Sequence, residues 1–203
     1  MKHHEIVNKV KSILNEHGEV DVLSIGDDRV QLENYIAVAI PDAVVMLASK
    51  GYAVNKADFN GVNSEGISVP KDFISLIAVR LEGWKKTVTQ LTEVGSVEYV
   101  MAMNEYTKPG VNTPVCYKEN DVIICLPYKE DSSLGVSLYN AKYNPYKKNE
   151  ETGEMVVDES YELNAEPKEA TAVCYMAAAL VLGMFEDDNG KQRLSDISTN
   201  MLQ

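Results

Sequence analysis

Residues 170–185, ATAVCYMAAALVLGMF, form the longest uncharged run in the chain and set the strongest constraint on its fold. Glu166 and Pro167 precede the run, with proline suited to a first helical turn and Glu169 placed near the positive end of the helix dipole. The pattern predicts a helix that is apolar almost all round, and such a helix has to be covered on every side. The run is shorter than the ~20 residues that span a bilayer, which makes it a buried or interface helix and not a membrane anchor. Ala170, Cys174, Ala177, Ala178 and Val181 make a small-residue stripe along it, where another helix can approach closely. These five residues are candidate interface positions, covered in part only on assembly. On that expectation Ala177→Arg reduces assembly and leaves the helicity of the monomer intact.

Three more helices surround this one in sequence. Ile6, Val10, Ile13 and Leu14 share one face of a helix over about residues 5–17, which Gly18 ends. Asp27 or Asp28 caps a longer second helix whose apolar face is Leu32, Tyr35, Ile36, Ala39, Ile40, Ala43, Val44 and Leu47. Pro41 interrupts it, and a kink is favoured over a break. Leu194, Ile197 and Met201 mark a final amphipathic helix over about 191–202, after a polar stop at 186–190.

Between the helical ends the pattern turns to strands. Residues 55–66 read as a polar loop, and FISLIAVRL after it as an extended strand with Phe73, Ile77, Val79 and Leu81 on one face. Val88, Leu91 and Val94 fit a strand or a short helix. Residues 115–117 and 122–126, joined by Lys118-Glu119-Asn120-Asp121, form a β-hairpin, and 136–143 supply another strand. Residues 144–164 then read as a polar excursion with a turn at 151–154 and a short apolar core, Met155-Val156-Val157. The fold class is α+β: a helical bundle of residues 1–54 and 165–203, with two helices from each end of the chain, and an inserted antiparallel β-domain, 55–164, whose hairpin excursion occupies about 140–164.

Charge and chemistry narrow the function. Among 203 residues, 31 are acidic and 19 basic, a formal net charge of −12. That balance excludes broad gripping of nucleic acid or of an anionic membrane, both of which need a basic footprint. The first residues lack the apolar core and cleavage site of a secretory signal. Cys116, Cys125 and Cys174 have no metal-ligand spacing and read as core thiols in a reducing compartment. His3, His4 and His17 read as solvated histidines, and the pairs Asp27-Asp28 and Asp187-Asp188 as helix-boundary carboxylates, so no metal and no cofactor is expected. No phosphate-binding glycine loop, nucleophile elbow or H-E-x-x-H motif occurs, and no catalytic residue is assigned. Tyr139, Tyr143 and Tyr146 lie beside Lys142, Lys147 and Lys148. The carboxylates that follow disfavour stacking on bases, so these tyrosines are candidate contacts to another protein.

Three segments, VPKDFISL at 69–76, LEGWKKTV at 81–88 and NEYTKP at 104–109, resemble the head-to-tail connector (adaptor or ring) proteins of tailed bacteriophages, the crAss-like phages in particular. The alanine-rich late helix is similar to that of the same group, and the likeness covers roughly residues 5–201. It implies a virion structural protein, made in the host bacterial cytoplasm and placed at the head–tail junction. There it forms a homo-oligomeric ring of about twelve copies that closes by rotation. It implies as partners a portal protein above, tail components in assembly, and double-stranded DNA that passes at genome ejection without sequence-specific binding, with no membrane. Trp84 and Tyr106 match family-like positions and are expected to pack in the β-domain. The competing reading, from the residues alone, is a monomeric or dimeric protein-binding module that captures its partner with the β-insert.

Overall fold

In a computed structural model, which describes residues 1–16, 29–63, 66–128, 132–150 and 152–203, the chain is α+β. Among the described residues, five helices and eight strands are distributed over two compact units. One, the helical unit, consists of Met1–Asn55 and Lys142–Gln203; the other, the β-unit, is Lys56–Ala141. His17, Gly18, Asp27 and Asp28 lie outside the described residues.

The helical unit is built around the apolar run. Helix α4 (Pro167–Met184) packs against α1 (His3–Glu16), α2 (Arg29–Ser49) and α5 (Asp188–Leu202). Its apolarity on all sides is answered within the chain: Ala170, Ala172, Val173, Cys174, Met176, Ala177, Ala178, Ala179, Val181 and Leu182 are all buried. Three helices contribute the cover, with Ile6, Val10 and Leu14 from α1, Ile36, Ile40, Ala43, Val44 and Leu47 from α2, and Leu194 from α5, each without exposed surface. Burial of each Val, Leu or Ile in this set contributes about 1.5–3 kcal/mol. The Lys9 ammonium donates to Thr171 Oγ1 at 2.7 Å between α1 and α4, and Ser198 Oγ on α5 donates to the Ala172 carbonyl at 2.8 Å.

Local chemistry sets the ends of these helices. Pro167 opens α4, and the Glu169 carboxylate accepts from the Glu166 backbone N–H at 2.9 Å. Asp187 caps α5, its side chain accepting from the Gly190 N–H at 3.0 Å, which accounts for that carboxylate. The polar stop therefore covers fewer residues than expected, and α5 starts at Asp188. Helix α2 runs unbroken through Pro41, since its inner face is buried on both sides of the proline.

Residues 142–164 group with the helices and not with the β-insert, which corrects the expected boundary at residue 165. The cause is a set of bonds to the N-terminal segment: the His3 N–H donates to the Tyr161 carbonyl at 2.8 Å and the Leu163 N–H to the Met1 carbonyl at 2.9 Å. The Asn164 N–H donates to Asn55 Oδ1 at 3.1 Å. Within this stretch β7 (Tyr146–Lys148) and β8 (Met155–Val157) form the expected hairpin, pairing Tyr146 with Val157 and Lys148 with Met155.

In the β-unit, β1 (Lys56–Asp58), β6 (Leu134–Ala141) and β3 (Phe73–Leu81) form one antiparallel sheet in the order β1-β6-β3. A second antiparallel sheet has the order β2-β5-β4, with β2 at Ile67–Ser68, β5 at Val122–Leu126 and β4 at Val115–Glu119. One core joins them, containing Phe59, Ile67, Leu76, Val79, Leu81, Trp84, Cys116, Ile123, Cys125 and Tyr139. The expected face of β3 is corrected by a register shift between Leu76 and Ala78, which turns Leu76 inward in place of Ile77 before Val79 and Leu81 resume the alternation. The β4–β5 hairpin forms as expected and turns at Asn120, whose φ is 54°. Between Val88 and Val94 the chain makes isolated bridges, Val88 with Val79 and Thr92 with Tyr117, and the sequence pattern did not reveal α3 (Val97–Met103), which follows.

Candidate interaction surfaces

The small-residue stripe does not reach the surface. Ala170, Cys174, Ala177, Ala178 and Val181 are each at most 1% exposed in the single chain, because α1, α2 and α5 supply the cover that assembly was expected to provide. They are packing positions of the helical unit, and Ala177 offers no face on which an arginine would be tolerated. Burial pushes the Cys174 thiol up to about 12. Cys116 and Cys125 face each other across β4 and β5 with their sulfurs 3.4 Å apart, and the Cys116 thiol is raised, first by its contact with Cys125 and then by burial. All three cysteines are buried free thiols.

The three candidate tyrosines separate. Tyr139 is buried in the β-unit, against Phe59 and Phe73, and donates to Asp72 Oδ1 at 3.1 Å. Burial, with the Asp72 charge second, pushes its phenol up to about 12. Tyr143 is buried in the helical unit, where its hydroxyl lies 3.0 Å from His3 Nδ1 and its ring meets Tyr161 edge-on. Neither is available as a surface contact, since each ring closes a core. Tyr146 alone is exposed, on the β7–β8 hairpin. His3 is buried rather than solvated, held by Tyr143 and by its backbone bond to Tyr161, and burial lowers its pKa below the ordinary histidine value.

Trp84 packs in the β-unit as expected, its indole N–H donating to the Pro127 carbonyl at 3.0 Å. Tyr106 does not: it is 95% exposed in the turn after α3. That turn is held by local polar bonds, the Tyr106 N–H donating to Asn104 Oδ1 and Thr107 Oγ1 to the Met101 carbonyl, which leave the ring outside.

Exposed apolar side chains gather at three places. On α2, Tyr35, Val38, Val45 and Met46 form an outer stripe around Asp42, with Tyr35 set edge-on against Phe185. The window Leu32–Ser49 is by length and composition apolar enough to cross a membrane, but its inner residues are core of the helical unit. On the hairpin, strand alternation and register put Tyr146, Lys148, Met155 and Val157 on one face, all four exposed. The third place is α3, which rests on the β-unit through Ala102 and through Tyr99, edge-on to Tyr117, while Val97, Val100 and Met101 face solvent at 71%, 59% and 52% exposure. Sequence periodicity missed this surface because its helix has an apolar outer side. The signal present was the clustering of Val94, Val97, Val100, Met101 and Met103 without a basic residue from Thr87 to Thr107.

Two clefts lie in the described surface. One, of about 260 Å³ in the helical unit, is lined by residues including His4, Lys11, Glu33, Ala37, Val157 and Glu159, with Lys11 and Glu33 already ion-paired. Among the described residues its lining brings no Ser, Thr or Cys beside these groups. The second, about 350 Å³ between residues 60 and 70 of the β-unit, is lined among the described residues by Asn, Gly, Ser, Val and Pro. Among the described residues no three His, Cys, Asp or Glu side chains converge as metal ligands. No protein-family model matches the chain, and no curated protein matches it.

Proposed function

We propose that the chain is a structural subunit of a head-to-tail connector ring of a tailed bacteriophage. In this reading copies close a ring that docks onto the portal, forms part of the DNA conduit and offers a platform to tail components. The observation that carries the reading is the separation of the exposed apolar side chains into distinct patches on both units. A rotationally closed ring makes heterologous contacts, so each subunit needs two different mating surfaces, with further surface for the rings above and below. Three sequence segments that resemble connector proteins add to it. The net charge of −12 supports passage of DNA without retention, because like charge provides no counterion-release gain to hold it.

The role is structural and not catalytic in this reading, and its place is the virion, after synthesis in the host bacterial cytoplasm. The test is co-assembly of the full chain with a portal ring from a crAss-like phage, followed by negative-stain imaging. A closed ring stacked on the portal is expected. Failure to bind that portal, where a known adaptor binds it, overturns the reading. The exposed side of α3 also favours a second reading, a monomeric or dimeric module that binds a protein partner through the β-unit. Native mass spectrometry separates the two, since only the first gives a high-order oligomer on the portal.

A further inference from the structure

The outward side of α3 is apolar where a helix on a water boundary is ordinarily polar. Its inner contacts are Tyr99 and Ala102, and the residues three and four apart on the other side, Val97, Val100 and Met101, have no cover. Around them stand Glu93, Glu98 and Glu105, exposed and without an ion pair among the described residues. A partner for this surface must supply apolar area and positive charge. An anionic membrane and nucleic acid are disfavoured by the three carboxylates, and the outer stripe of α2 carries Asp42 at its centre, which would oppose them.

The matching chemistry is in the helical unit of the same chain. One face of the β7–β8 hairpin presents Tyr146, Met155 and Val157 around Lys148, which has no ion pair among the described residues; exposed Lys142 just before β7 has none either, and the exposed carboxylates nearby, Glu150, Glu154 and Glu159, lie outside the two strands, so the positive charge is local to Lys148 and Lys142. Lys147 differs, since it lies on the opposite face and pairs with Asp158 at 3.3 Å. We propose that the α3 segment of one copy docks on the β7–β8 hairpin face of a second copy, burying Val97, Val100 and Met101 against Tyr146, Met155 and Val157 with Glu98 opposite Lys148. The contact is heterologous: each copy offers α3 from its β-unit and the hairpin from its helical unit, two different surfaces, so copies add head to tail. It rests on the ring reading for its biological setting and names the two surfaces that mate.

Sedimentation velocity on the full chain over a range of concentrations tests it. The native chain is expected to self-associate, and Val100→Asp and Met155→Asp are each expected to weaken this at least about tenfold. Both positions are solvent-exposed, so circular dichroism should show each variant folded. Mixed together, the two variants should form a pair that grows no further, because each retains one intact surface. Glu98→Lys should weaken association, and adding Lys148→Glu to it should restore it. Native-like association of Met155→Asp, no pairing in the mixture, or a chain monomeric up to about 1 mM overturns the docking. The outcomes separate from those of the ring reading: rings on the portal that form with Met155→Asp overturn only the docking. Complementing variants, with a native chain that never binds the portal, overturn only the ring.

Discussion

Protonation of His3 opposes the folded state. Its ring is buried beside Tyr143, and burial lowers its pKa below the 6.5 of an exposed histidine, with Glu159 opposing the shift and His4 adding to it. The unfolded chain therefore takes up the proton first as pH falls. Stability from this group is present above about pH 6.5 and is lost as the pH drops toward the lowered value. Between pH 7 and pH 5 this group is expected to lower the melting temperature, and His3→Gln should flatten that slope, as read by thermal denaturation. An unchanged slope in the variant would show that His3 does not contribute. The burial of His3 was not legible in the sequence, since a terminal His-His pair reads as solvated. What buries it is a return of the chain from residue 161, a contact no local pattern records.

At the scale of the element, packing decides what the small residues of α4 do. Ala177 is fully buried among helices of its own chain, so Ala177→Arg would place an unpaired charge in the core. The expected cost is about 4 kcal/mol or more, with loss of helicity seen by circular dichroism, in place of an assembly defect on a folded monomer. The apolar run announced α4 and its need for cover, but sequence cannot say whose side chains provide it, and here α1, α2 and α5 do. The β-unit shows the same division. The β4–β5 hairpin was legible from its two apolar runs and turn, whereas the bulge that turns Leu76 inward was not, because alternation carries no mark of an inserted residue. Gly66 enters β2 at a φ of 129°, and a Cβ there would run into the Ile123 carbonyl oxygen. Gly66→Ala is therefore expected to destabilise the β-unit by about 2–4 kcal/mol, measurable by urea denaturation, with the β2–β5 pairing lost first.

For the whole molecule, the α+β class and the helical character of both chain ends were legible, and the boundary at residue 142 was not. That boundary depends on bonds between residues 1–3 and 161–163, which lie at nearly opposite ends of the sequence. The patches that carry the functional reading were hidden for a related reason: the sequence marks apolar residues, and only the fold divides them into buried and exposed. Val100 and Val173 are alike as letters, one at 59% exposure and the other at none.

Insertion of the β-unit between two halves of the helical unit also orders events during synthesis. A ribosome delivers residues 56–141 complete while α4, the centre of the helical core, is still unmade, so α1 and α2 emerge with their apolar faces uncovered. The β-unit is positioned to fold first. A fragment of residues 56–141 is expected to unfold cooperatively in urea, and a chain truncated before residue 165 to show protease resistance in the β-unit with cleavage in α1 and α2. Since those two helices wait for the last fifth of the chain, a copy that loses its C-terminus exposes α2 along both sides. Incomplete chains are thereby open to removal by chaperones and proteases.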